Sequence, residues 1–263
     1  MINKATTPVF ILCGGLGTRL KEETVLIPKP MVPIGSHPML WHLMRCYARH
    51  GFKRFVLCCG YKGEVIKSYF LNYASMNSDF SVKLATNEVT VHSIDHDHDW
   101  DVTLAFTGEL NMTGSRVAQA AERYLGEAEH FAVTYGDGLT DLDILAEFDF
   151  HLSHNKLGTV VGANPPSRFG ELVLDGTEVR KFAEKPDLTD NWINAGFFFF
   201  RKGFLNYLSK DPDCVLERAP LVKLAQDGEL CIFKHSGFWH CVDTKRDLDY
   251  MNDLWANGDA PWA

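Results

Sequence analysis

The sequence is poor in positive charge. Its 263 residues carry 26 Lys and Arg against 34 Asp and Glu, a net charge of −8, with no long basic run. Such a chain lacks the electrostatic footprint of a general nucleic-acid binder or of a protein that rests on an anionic membrane. No apolar stretch approaches the roughly 20 residues needed to span a bilayer. The first apolar run, within MINKATTPVFILCGG, is too short for a secretion signal and leads straight into glycines. The seven cysteines form neither a CxxC pair nor a zinc-like Cys/His spacing, and Cys58 and Cys59 adjoin in an apolar run. They read as small buried residues in a reducing compartment, not as a disulfide framework. There is no Pro/Ser-rich linker and no internal repeat. The expectation is a cytoplasmic, globular, catalytic chain of one domain, residues 1–263.

What is present is an alternation. PVFILC (8–13) is a buried-strand run that ends in glycines. Met39, Leu40, Leu43, Met44 and Tyr47 follow helical spacing, with Ser36 as the expected cap and Gly51 as the stop. RFVLCCG reads as strand and EVIKSYFLNYA as helix, and VTLAFTG, VAQAAERYL and HFAVTYGDG continue the rhythm. The pattern predicts an α/β fold, a Rossmann-like, mostly parallel sheet with helices on both faces. Ligands of such sheets sit at the carboxyl ends of the strands. From about residue 157 the runs become strand-like: LGTVVGANP, FGELVLDG, EVRKFAEK and WINAGFFFFRKG, with Asp175-Gly176 as a hairpin turn. Helices are expected near 217–225 and 245–255. The aromatic run 197–200 is expected to be a buried central strand.

Gly14-Gly15-Leu16-Gly17-Thr18-Arg19 follows the first strand directly. It is neither a G-x-G-x-x-G loop nor a Walker A loop. Glycines let backbone N–H groups approach an anion closely, and Arg19 offers a planar fork for phosphate oxygens. Alone, the segment could equally be a tight turn with a surface arginine. Pro28-Lys29-Pro30 lies ten residues beyond Arg19. The prolines are expected to hold Lys29 in a stiff, extended segment, which is sensible where the amine has an anionic target. Asp137, between glycines at the end of HFAVTYGDG, can reach a hard cation such as Mg²⁺ without crowding, or can simply form an Asp-Gly turn. Asp141 and Asp143 form a D-x-D, expected to begin the next helix rather than to mark a glycosyltransferase. The segment 92–99, HSIDHDHD, alternates metal-ligand types, but an exposed hairpin or subunit contact is the expected reading.

Gly-Gly-x-Gly-Thr-Arg-Leu followed by Pro-Lys-Pro-Met resembles the signature of the sugar-1-phosphate nucleotidylyltransferases. FVLCCGYKGEVIKSYF, MTGSR, TYGDGLTDLD, PPSRFGEL, FAEKP, INAGFFF and GFWHCVDTKRD extend the resemblance over nearly the whole chain. Glu22-Glu23-Thr24 stands where many members have a Pro-Leu-Thr-like segment, which points to the cytidylyl branch that uses glucose 1-phosphate. The resemblance implies a nucleotide-diphospho-sugar transferase fold, with about 8–156 as the nucleotide-binding half and 157–263 as the sugar-phosphate half. It implies CTP and α-D-glucose 1-phosphate as substrates, Mg²⁺ as cofactor, and a homo-oligomer that engages neither nucleic acid nor membrane.

Residue by residue, Arg19 and Lys29 match the family's catalytic cations. Gly14, Gly15, Gly17, Thr18, Arg19 and Gly136 match its nucleotide site, with Thr113, Gly114 and Arg116 as the base-binding turn. Asp137 and Asp243 match the metal ligands, although Asp243 by itself would read as a helix cap. Glu184, Lys185, Asn194 and Arg168 match the sugar-phosphate pocket. Arg116 is expected to discriminate the base: a donor-only guanidinium satisfies cytosine O2 and N3 and opposes the N3–H of uracil, at about 1–3 kcal/mol for the mismatch. Its bland alternative is an arginine in a first helical turn. Ile27 replaces a common lysine, and Ala195 replaces a usual glycine, where it is expected to crowd the sugar pocket. Two other readings stay open: the same chemistry with UTP, dTTP or another sugar phosphate, and a non-catalytic nucleotide-sugar sensor. A sensor should have lost a lysine or a metal ligand, yet Arg19, Lys29, Lys185, Asp137 and Asp243 are all present.

Overall fold

A computed structural model describes residues 3–18, 20–92, 99–165, 171–183 and 192–263. The apolar runs become the strands of one seven-stranded sheet. They are β1 (Pro8–Leu12), β2 (Arg54–Cys59), β3 (Asp101–Phe106), β4 (His130–Tyr135), β5 (Gly158–Ala163), β6 (Ile193–Arg201) and β7 (Leu230–His235). Their order across the sheet is β7-β5-β6-β4-β1-β2-β3. β6 is antiparallel to both neighbours, and the other pairings are parallel. Parallel neighbours need crossovers, and the connections carry α1 (Met39–Ala48), α2 (Gly63–Leu71), α3 (Thr113–Tyr124), α4 (Ile144–Ser153) and α5 (Ala219–Gln226), while α6 (Lys245–Ala256) follows the last strand.

Period-two alternation sorts the strand side chains into two cores. Val9, Ile11, Phe55, Leu57, Phe197 and Phe199 pack on one face with α1, α4 and α6. Phe10, Val56, Phe131, Val133, Phe198 and Phe200 pack on the other with α3 and α5. The run 197–200 is thus the buried strand expected, each phenylalanine contributing roughly 1.5–3 kcal/mol by burial. All seven cysteines are free thiols; burial pushes Cys13 and Cys58 up and Cys59 to about 11, so none of these three is a ready nucleophile. No helix among the described residues is long and apolar enough to cross a membrane.

Two local expectations need correction. Ser36 does not cap α1: the helix starts at Met39, after Pro38 in the extended region, and no side chain caps it. A proline at that place holds the chain extended and so delays the helix. The hairpin Phe80–Lys83 with Glu88–Val91 is exposed on both faces. Phe80, Val82, Val89 and Val91 share one face of it, and that face stays largely exposed. Most of the segment 92–99 lies outside the described residues.

The strand ends fix the site. The Gly136 N–H donates to Leu12 O (3.1 Å), the Cys13 N–H to Cys58 O (3.2 Å) and the Thr107 N–H to Cys59 O (3.0 Å). The loops after β1, β2, β3 and β4 therefore start from one rigid edge.

Candidate active site

Over that edge lies a cavity of about 270 Å³. Gly14, Gly15, Gly17, Thr18, Lys29, Thr113, Arg116, Gly136 and Asp137 all line it, as do Asn111, Met112 and Tyr135, which sequence reasoning left without a role. Gly17 adopts φ +63°, a left-handed conformation that side chains disfavour. Thr24 braces this turn from below: its buried hydroxyl donates to Gly17 O (3.0 Å) and Leu20 O (2.8 Å). Arg19 lies outside the described residues.

Lys29 is only 7% exposed. Pro28 is extended as expected, but Lys29–Met31 turn into a single 3₁₀ turn instead of continuing straight. That turn carries the ammonium inward, where Nζ donates to Asp137 Oδ2 (2.7 Å) and Asp243 Oδ1 (2.6 Å). Burial works against the charged amine. The Asp137 charge and the bonds to both carboxylates outweigh that cost and hold the lysine above its ordinary pKa. Asp243 is available for this because Thr244, not Asp243, caps α6, in a reciprocal capping box with Asp247. Asp137 and Asp243 stand 106 residues apart in sequence, and Cys241 joins them: one ligand atom of each lies within 4.8 Å of the others. Two carboxylates that already hold a cation form a hard-oxygen donor set suited to Mg²⁺.

Arg116 reaches the cavity wall, but its guanidinium is spent elsewhere. Nη1 donates to Gly108 O (2.7 Å), Thr107 Oγ1 (3.0 Å) and Cys59 O (3.3 Å), and Nη2 to Gly14 O (3.0 Å) and Glu109 O (3.1 Å). A Cβ on Gly14 would stand 2.2 Å from the guanidinium carbon, so this close stacking requires glycine. The side chain is 4% exposed. It ties together the loops after β1, β2 and β3. Reading cytosine with these donors requires breaking bonds that hold the cavity in shape.

Gly114, expected at the base, packs instead against Cys214 and Leu216. Thr113 donates to Glu217 Oε2 (2.8 Å), and the Tyr135 hydroxyl donates to the other oxygen of the same carboxylate. Glu217 thus links α3 to the end of β4. It stands 104 residues from Thr113 in sequence, and no local pattern marks it. Asn194 opens β6, exposed, with its Oδ1 accepting from the Gly196 N–H (2.8 Å). Ala195 does not project into a pocket; its side chain is buried in the core and its carbonyl accepts from Trp239 Nε1 (2.8 Å). Ile27 is half-buried against the same core. Arg168, Glu184 and Lys185 lie outside the described residues. Asp143 caps α4, accepting from the Ala146 N–H (2.9 Å), and Asp141 pairs with His235 (3.0 Å), so the D-x-D is structural.

Known proteins resemble this chain in sequence and in fold. The nucleotidyl transferase family model matches residues 9–239. Glucose-1-phosphate cytidylyltransferase of Salmonella typhi is 48% identical over 252 residues, 96% of this chain and 97% of that protein. A probable glucose-1-phosphate cytidylyltransferase of Bacillus subtilis is 39% identical over the same shares of the two chains. Among solved structures, HddC from Yersinia pseudotuberculosis superposes with a TM-score of 0.66 at 25% identity, covering 95% of this chain and 99% of that one.

Proposed function

Because this chain belongs to the nucleotidyl transferase family, we propose that it transfers CMP from CTP to α-D-glucose 1-phosphate, releasing pyrophosphate and forming CDP-glucose. The observation that carries nucleotidyl transfer is the meeting of a glycine turn, a buried lysine and Asp137 in one cavity, with Asp243 bound to the same ammonium. The choice of substrates rests on the 48% identity to the Salmonella typhi enzyme.

A phosphate oxygen of glucose 1-phosphate attacks the α-phosphorus of CTP. The new P–O bond forms as the bond to the β-phosphate breaks, and pyrophosphate leaves on the opposite side. The attacking oxygen is already ionised near pH 7, so the protein has no proton to remove. Its work is positioning and charge stabilisation. Backbone N–H groups of Gly14, Gly15 and Gly17 receive the triphosphate, with Thr18 and Arg19 at the same turn. Lys29 places a positive charge at the cavity floor. Asp137 and Asp243 would hold Mg²⁺, which would supply charge neutralisation to the reacting phosphates. Asn194 would serve the sugar phosphate, and the family resemblance adds Glu184, Lys185 and Arg168 to that role. Arg116 fixes the loops that shape the base pocket, so cytosine selection falls to the groups those loops present.

The test is pyrophosphate release with Mg²⁺ and α-D-glucose 1-phosphate, measured separately with CTP, UTP, dTTP, ATP and GTP. CTP should be used at least about tenfold better than any other nucleotide, the discrimination expected from one unpaired polar group. Preferred turnover of another nucleotide overturns the cytidylyl assignment.

A further inference from the structure

The metal-ligand group holds more than its two carboxylates. Trp239–Cys241 pairs antiparallel with Gly138–Thr140, and the register sets Cys241 opposite Gly138, the residue after Asp137. The Val242 N–H donates to Asp137 O (3.0 Å) and closes the same corner. The Cys241 thiol is half-buried, forms no disulfide, and lies within 4.8 Å of a carboxylate oxygen of both Asp137 and Asp243. A positive charge already sits between those oxygens, the Lys29 ammonium at 2.7 and 2.6 Å.

Two donors on one tetrahedral zinc-sized ion, with sulfur at ~2.3 Å and oxygen at ~2.2 Å, stand roughly 3.7 Å apart. Ligand atoms that already lie within 4.8 Å of one another reach that spacing by side-chain movements of about 1 Å or less. Mg²⁺ gains little from sulfur. Softer divalent ions gain from a thiolate, and their affinities for mixed S/O sites rise along the first-row series. We propose that Cys241 is a third ligand of this centre, which makes it a site for a thiophilic divalent ion such as Zn²⁺, Co²⁺ or Cd²⁺, bound in place of the Lys29 ammonium. The inference rests on the reading of Asp137 and Asp243 as a metal pair. On binding, the S–H proton passes to solvent and a metal–sulfur bond forms; nothing is oxidised or reduced.

Cd²⁺ titrated into the metal-free, full-length protein, without nucleotide, is the direct probe, because a cadmium–thiolate bond adds an ultraviolet charge-transfer band. The wild type should saturate at one Cd²⁺ per chain with that band. Cys241→Ser should bind Cd²⁺ at least about tenfold more weakly and without the band, and Asp243→Asn should weaken binding with the band retained at saturation. A band of equal strength in Cys241→Ser overturns the proposal by assigning the thiolate to another cysteine. Saturable Cd²⁺ binding with no band in the wild type overturns the part of Cys241 and leaves the carboxylate pair standing. The absence of saturable binding of both Cd²⁺ and Mg²⁺ overturns the pair as well. A second readout avoids mutation: Cd²⁺ should slow alkylation of Cys241 by iodoacetamide, located by peptide mass spectrometry, and an unchanged rate contradicts the proposal.

Discussion

Two buried cations face the same cavity and are held in opposite ways. Arg116 has neutral partners, four backbone carbonyls and one hydroxyl, drawn from the loops that follow three strands. Lys29 has two carboxylates and a single amine. A planar guanidinium with both terminal nitrogens committed to fixed partners is a rigid clamp, because no other ion reproduces its geometry. An ammonium between two carboxylates is a point charge, and a divalent cation competes for the same oxygens with twice the charge. The contrast separates shape from chemistry: Arg116 builds the cavity, and Lys29 with Asp137 and Asp243 supplies its exchangeable charge.

The strongest way to break this contrast is at Lys29. Lys29→Ala should lower kcat/KM by about 10²–10⁴, the loss typical of a preorganised electrostatic stabiliser. Steady-state kinetics with CTP decides it, and a loss under about threefold would remove Lys29 from catalysis. Arg116→Met comes next. It leaves buried carbonyls without donors and should cost about 3–5 kcal/mol of stability, seen as a large drop in thermal midpoint. KM should rise for CTP and UTP together. An unchanged melting temperature with selective loss of CTP would instead make Arg116 the direct reader of the base.

A buried ionisable group with neither kind of partner sharpens the comparison. Glu147 on α4 is fully buried, with no hydrogen bond to either carboxylate oxygen, and burial pushes its pKa well above the ordinary value. The folded state therefore holds its proton where the unfolded chain has released it, and stability falls as pH rises beyond about 4.3. Glu147→Gln stays neutral. Its stability relative to the wild type should grow by at least ~1 kcal/mol between pH 5 and pH 8, measured by urea unfolding at both. A difference that does not change with pH contradicts the neutral buried acid. The smallest effect is expected at Glu217, which is exposed and joins Thr113 to Tyr135. Glu217→Gln should raise the KM for CTP about threefold to tenfold with little change in kcat, as suits a positioning residue. A fall in kcat at constant KM would place it nearer the reacting atoms.

Much of the fold was legible because its signals are local. The apolar runs of β1, β2 and β4, the buried phenylalanines of β6 and the glycine turn each declare themselves within a dozen residues. Asp137 was legible as a metal-ligand candidate from its glycine-flanked strand end, and Asp243 only through family resemblance; their meeting at Lys29 spans 108 and 214 positions. What escaped depends on where side chains turn after folding. Arg116 stands in the expected turn, yet the carbonyls of Gly14, Cys59, Gly108 and Glu109 claim its donors. Cys241 looked like one more apolar cysteine until strand pairing set it beside Asp137. Glu217 meets Thr113 only because the chain from 210 to 217 straps over the start of α3, with the Ser115 N–H donating to Cys214 O (3.1 Å) and the Met112 N–H to Pro212 O (2.8 Å). No pattern of spacing encodes such meetings.

The central claim is that the Lys29 ammonium and a divalent cation occupy the same place between Asp137 and Asp243. Calorimetric titration of Mg²⁺ into the nucleotide-free protein, wild type against Lys29→Met, tests it most directly. Removing the competing ammonium should tighten Mg²⁺ binding by at least about tenfold, as two unneutralised carboxylates gain a single partner. Equal or weaker binding in Lys29→Met would contradict the account, because the lysine and the ion would then hold separate places.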